Sequence, residues 1–178
     1  MKQGHLLQGK DSILKARARA LAKEPERTVG SRAFIEIVEF RLASETYGIE
    51  SSFVREVQAL KDFTPLPGVP PFVLGIVNVH GRILSLVDLK KFFNLPDKGL
   101  GELNKVIVLQ NGRMEFGVLA DAVPGIRSVP LDAIQAPPCT ITGIGAEYLR
   151  GITAGHVIIL AAGKILGDEK IIVHEDVT

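Results

Sequence analysis

A chain of 178 residues, 46% of them apolar, is long enough for one domain or two small subdomains with a real core. No apolar run approaches the roughly 20 residues that span a bilayer, so direct membrane insertion is not expected. The single cysteine, Cys139 beside Pro137-Pro138, excludes an internal disulfide and a cysteine metal cluster.

The formal net charge of +1 hides an asymmetry. Residues 1–32 carry eight Lys/Arg against three Asp/Glu and are +5; residues 33–178 carry 13 against 17 and are −4. A nucleic-acid surface needs a basic body, and this body is mildly acidic. The start, MKQGHLLQGKDS, has no apolar h-region, so a cytoplasmic location is expected. Within this basic extension, residues 11–23 predict a helix. Asp11 or Ser12 caps it, Ile13, Leu14, Ala18 and Leu21 share a face, and Pro25 ends the pattern.

From Ala33 the period changes to two, which predicts a strand with Phe34, Glu36, Val38, Phe40 and Leu42 on one face. After a turn at Ala43–Glu45 the pattern resumes at Tyr47-Gly48-Ile49, and Val54–Val57 forms a further strand or turn. The Pro-rich stretch Thr64–Pro71 delivers the chain into Phe72–Leu89, which predicts a hairpin around which the rest is arranged. His80-Gly81 forms its two-residue turn, so Val79 faces Arg82, Val77 faces Leu84 and Gly75 faces Leu86. Its nearly continuous apolar arms imply burial on two faces, or one apolar face offered to a partner. Gly75, in mid-strand, marks a place where another backbone closes in or the sheet bends.

Asp88 then caps a short helix through Phe93. Strands are expected at Lys105–Gln110 and Phe116–Ala120, joined by an Asn111-Gly112 turn, and at Gly125–Val129. Pro130–Thr142 reads as a loop, Leu149–Leu160 as a second long hairpin, Ala162–Leu166 as a short helix and Lys170–His174 as a last strand. The two halves also repeat. TYGIESSFVREV (46–57) aligns with EFGVLADAVPGI (115–126), and Gly75-Ile76 matches Gly151-Ile152. Two similar β-rich halves imply two small barrels.

Catalytic patterns are absent: no G-x-S-x-G elbow, phosphate loop or H-E-x-x-H pair occurs. His5, His80, His156 and His174 are scattered. Asp88 and Asp121 each follow an apolar strand and suit capping or turn roles, although folding could assemble them into a carboxylate site. Tyr47, Phe116 and Tyr148 are too few for a base-stacking platform and fall on core-like positions. A barrel module for nucleic acid and a carboxylate enzyme therefore remain only as alternatives to a protein built for contact with other proteins.

In order along the chain stand Tyr47-Gly48-Ile49, Val54-Arg55-Glu56-Val57, Thr64-Pro65-Leu66-Pro67 and Phe72–Asn78. Gly81-Arg82-Ile83, Val87-Asp88-Leu89 and Gly117–Asp121 follow. From about Ala33 to the end this series resembles the CheW-like family, the coupling proteins of bacterial chemotaxis. The resemblance implies a mainly β fold of two five-stranded SH3-like barrels packed around a shared core, preceded here by the helical extension of residues 1–32. It implies a non-catalytic adaptor without cofactor or metal, placed in the cytoplasm at membrane-associated receptor arrays. The implied partners are the CheW-like regulatory domain of the histidine kinase CheA and the cytoplasmic tips of methyl-accepting chemoreceptors, with no nucleic acid.

By position, the kinase patch would include Val38, Ser51 and Val54, and the receptor groove Glu56, Val57, Asn78, Val79, His80 and Gly81. Two positions depart from the family pattern. Ser51 stands where an aliphatic is common, and His80 stands where the family has Arg. An imidazole lacks the planar fork of a guanidinium, so a bidentate pair between position 80 and Glu56 is not expected.

Overall fold

The computed structural model describes residues 32–95, 105–137 and 144–171. The helix expected at 11–23 lies outside the described residues, and the chain divides between Arg32 and Ala33. Eleven strands follow in the described residues: β1 (Phe34–Leu42), β2 (Glu45–Glu50), β3 (Val54–Ala59), β4 (Val73–Val79), β5 (Arg82–Val87), β6 (Lys105–Gln110), β7 (Glu115–Ala120), β8 (Ala122–Pro130), β9 (Ile134–Gln135), β10 (Leu149–Thr153) and β11 (Val157–Leu160). Short helices α1 (Leu89–Phe92), α2 (Ile144–Glu147) and α3 (Ala162–Ile165) complete the set.

The strands form two sheets, the two small SH3-like barrel units of a mainly β fold. One runs β8-β1-β2-β11-β10-β9 and the other β3-β6-β7-β5-β4. Their orders superpose if β8, β1, β2, β11 and β10 are matched with β3, β6, β7, β5 and β4. The one parallel pairing in each sheet, β2 with β11 and β7 with β5, matches too. The repeat seen in the sequence is thus real, but its halves are exchanged. Each half gives its first hairpin to one sheet and its later strands to the other, crossing over at Ser51–Phe53 and at Asp121.

The sixth strand of the larger sheet also has a counterpart. β9 pairs Gln135 with Ile152, and in the other sheet Thr64 bridges Ile76. Both are matched by a glycine one residue earlier. A Cβ on Gly75 would lie 2.0 Å from Thr64 O, and one on Gly151 would lie 2.5 Å from Gln135 O. The repeated Gly-Ile therefore marks where a crossing carbonyl closes on the strand.

Three apolar clusters follow from strand parity. Val77, Val79, Leu84, Leu86, Val106, Val108 and Leu119 fill one barrel, while Ile37, Val129, Val157 and Ile159 fill the other. The largest lies between the sheets and joins Phe40, Tyr47 and Ile49 to Ile107, Leu109, Phe116, Val118 and Tyr148. β6 and β7 feed the shared cluster with alternate residues and the barrel with the others, so they are buried on both faces.

This corrects the emphasis on Phe72–Leu89. The register at its turn is as expected, with Val79 opposite Arg82 and Val77 opposite Leu84. Yet β4 ends the strand order of its sheet, and Asn78, Ile83 and Ser85 lie exposed on its outer face. Three further expectations change. The β6–β7 loop has four residues, Asn111–Met114, because Asn111 Oδ1 accepts the Arg113 and Met114 N–H groups and widens the turn. The segment read as a Pro-rich loop contains a 3-10 turn at Leu131–Ala133 and β9. Lys170 and Ile171 stand in a turn, and the rest of that expected strand lies outside the described residues.

Candidate functional site: a charged rim on one barrel

At one end of the β3-β6-β7-β5-β4 sheet the inward-facing positions stop being apolar. Alternation carries Val108 to Gln110 on β6, Gly117 to Glu115 on β7 and Leu84 to Arg82 on β5. On β3, Glu56 pairs directly with Val108. These four side chains, three of them charged and Gln110 a neutral amide, cap the barrel interior.

Arg82 is the hub. Its Nη2 donates to Glu56 Oε1 at 3.1 Å and its Nη1 donates to both oxygens of Glu115. Arg55 Nη1 stands 3.4 Å from Glu115 Oε1 and 3.4 Å from Gln110 Oε1. The other oxygen of Glu56 faces the hairpin turn, with His80 Nδ1 at 2.9 Å from Oε2. The carboxylates are about a quarter exposed, whereas the imidazole is 73% exposed. The two Arg82 pairs are therefore partly desolvated on both sides, whereas the Arg55 and His80 contacts are those of surface groups.

The turn itself is built by conformation. His80 has φ 50° and Gly81 φ 84°, the left-handed pair that a two-residue hairpin requires. Asn78 Oδ1 accepts the Gly81 N–H at 2.8 Å and closes the loop from below.

Of the groove residues expected from sequence, Glu56, Asn78, His80 and Gly81 thus come together at this rim. Val57 lies beside them, exposed on the outermost strand β3. Val79 does not join the surface: at 0% exposure it belongs to the barrel core. The second set is also contiguous. Ser51 opens the 3-10 turn Ser51–Phe53, Val54 follows it, and the turn lies against β1, which carries Val38. Ser51 and Val54 are half-buried, but Val38 is buried at 5% exposure and offers little surface of its own.

Arg82 and Glu115 were missed by sequence reasoning. The signal was present, since the Val79–Arg82 register places Arg82 on the inward face beside the turn. Glu56 does receive a guanidinium, and Arg82 supplies it in place of residue 80.

Asp88 and Asp121 are indeed assembled by the fold, around one lysine. Asp88 caps α1 by accepting the Lys90 N–H, and Lys90 Nζ reaches Asp121 Oδ1. Both carboxylates are engaged in holding the chain. Tyr47, Phe116 and Tyr148 are buried in the shared cluster, which removes the stacking platform a nucleic-acid reading needs. Among the described residues no group of three His, Cys, Asp or Glu side chains is placed to hold a metal, and no helix is long and apolar enough to cross a membrane.

Residues 36–170 match the family model described as CheW-like domain. The chain belongs to the CheW-like domain family. It is 30% identical over 143 residues to the chemotaxis protein CheW of Treponema pallidum, covering 76% of this chain and 84% of that protein. To the chemotaxis protein CheW of Klebsiella aerogenes it is 28% identical over 160 residues, covering 88% and 94%. The crystal structure of the scaffolding protein TtCheW from Thermoanaerobacter tengcongensis superposes with a TM-score of 0.64 at 30% identity, covering 72% of this chain and 84% of that one. The charged rim and the Ser51–Val54 turn both lie inside the CheW-like match.

Proposed function

We propose that this chain is a non-catalytic coupling adaptor of bacterial chemotaxis, joining the cytoplasmic tips of methyl-accepting chemoreceptors to the histidine kinase CheA. The observation that carries the reading is the CheW-like match across 36–170, together with a likeness that covers 94% of the chemotaxis protein CheW of Klebsiella aerogenes. Glu56, Asn78, His80 and Gly81, with Val57 at their side, supply the receptor-facing surface. Ser51 and Val54, backed by Val38, supply the kinase-facing one. The basic segment 1–32 is an extension of this adaptor, which works in the cytoplasm at receptor arrays. His80 in place of the family Arg suits a receptor set that diverges from the common one.

Mixing the purified chain with a CheA regulatory domain and, separately, with a soluble receptor-tip fragment tests the reading by size-exclusion chromatography. A stoichiometric complex is expected with each. Val54→Asp abolishes the kinase complex and leaves the receptor complex intact. Loss of neither complex in Val54→Asp refutes the assignment of that surface, and absence of both complexes with the unaltered chain refutes the adaptor reading.

A further inference from the structure

The structure assigns to Arg82 the positioning of Glu56 and the His80 turn for the receptor contact, an inference that rests on the adaptor reading and names a residue outside the expected groove set. Three observations carry it. Arg82 is the one guanidinium, among the pairs seen at the rim, that reaches Glu56. Arg82 is itself fixed by both oxygens of Glu115 on the neighbouring strand β7, so its fork is held by the barrel and not by solvent. His80, which meets the opposite oxygen of Glu56, is mostly exposed and has no comparable anchor. A guanidinium locked by one carboxylate and presented to another sets the second carboxylate's orientation. His80 is thereby left to face a partner while Glu56 is held in place.

The charged and titratable groups around Glu56 are few. His80 and Arg82 touch it, and Glu115 and Arg55 stand one step behind. Removing Arg82 takes away the guanidinium that holds Glu56, and at pH 8 the receptor affinity of Arg82→Leu falls about ten-fold, the fold-change of one charge-assisted hydrogen bond. Returning a guanidinium from the other side, in Arg82→Leu/His80→Arg, restores the affinity.

The test combines two measurements on the full chain. The first is the dissociation constant for a soluble receptor-tip fragment at pH 8. The second, independent of any receptor, is a double-mutant cycle on thermal unfolding at pH 8, in which His80→Arg raises the midpoint in the Arg82→Leu background and does little in the unaltered one. Equal effects of His80→Arg in both backgrounds, or full affinity of Arg82→Leu at pH 8, overturn the inference. A positive cycle together with no receptor binding by the unaltered chain upholds the positioning role and refutes the adaptor reading instead.

Discussion

Lys90 Nζ lies 2.9 Å from Asp121 Oδ1, and that ammonium is almost wholly enclosed, its side chain 2% exposed. The other oxygen of Asp121 accepts the Ala43 N–H at 2.7 Å. One carboxylate thus ties α1, which follows β5 of one sheet, to the β1–β2 turn of the other. It does so at the point where the chain itself crosses between the sheets. Asp121→Ala strands a buried cation and an amide, and is expected to cost about 3 kcal/mol in urea unfolding. Asp121→Asn keeps an acceptor for Ala43 and costs less. Lys90→Met with Asp121→Asn recovers most of the loss, since no ammonium is then left buried without its carboxylate.

Gly75 carries a sharper constraint than its place in a strand suggests. Its φ is 148°, and a Cβ there would overlap Thr64 O and come within 2.8 Å of Pro65 Cα. Neither neighbour is a flexible side-chain end, because Thr64 is paired to Ile76 by two backbone hydrogen bonds of 2.8 and 2.9 Å. Gly75→Ala is expected to destabilise by about 3 kcal/mol or more, from strain and overlap together. Gly125 has the same φ but open space around it. Gly125→Ala is expected to cost about 1 kcal/mol from backbone strain alone. Comparable midpoints for the two variants in urea would contradict this account.

Local chemistry explains which features could be read from the chain. The His80-Gly81 turn, the Asp88 cap and the Gly75/Gly151 match each depend on a few adjacent residues or a fixed spacing, and each appears as expected. The exchange of hairpins between sheets depends on which strands meet across long separations. Nothing in the alternation of β6 distinguishes a strand buried on two faces from one facing a partner. The rim was half legible for the same reason. Glu56 and His80 stood out through the family resemblance, whereas Arg82 and Glu115, 33 residues apart, become partners only through the parallel pairing of β5 with β7. Val38 and Val79 were placed on surfaces because position in a motif says nothing about depth.

Two buried tyrosines set the alkaline limit of stability. Burial pushes the Tyr47 phenol well above its ordinary range, helped by its hydrogen bond to Glu45. Burial does the same to Tyr148, helped by its bond to Asp168. Their folded values lie above the unfolded one, so their contribution is intact below about pH 10 and is lost as pH rises beyond it. The unfolded chain then binds fewer protons than the folded one, and each tyrosine removes up to about 1.4 kcal/mol per pH unit. Tyr47→Phe and Tyr148→Phe should each flatten the fall in unfolding free energy between pH 10 and 11. A slope unchanged in both variants would show that other groups govern the alkaline limb.

Asn78 separates the stability of the hairpin from its use. Its Oδ1 holds the Gly81 N–H at 2.8 Å in an exposed turn, while the ladder from Val73 to Val79 pairs with β5 independently of that bond. Asn78→Ala therefore removes one solvent-accessible hydrogen bond and should lower unfolding free energy by only about 0.5–1 kcal/mol. The turn carries His80 toward Glu56, so its loosening acts on the receptor-facing surface more than on the core beneath. Receptor-tip affinity is expected to fall by a larger free energy than stability does, and Asn78→Asp, which keeps the acceptor, should preserve both. If Asn78→Ala weakened stability and receptor binding in equal measure, the turn would be acting merely as part of the fold. If stability fell while binding held, the receptor surface would have to lie elsewhere on the barrel.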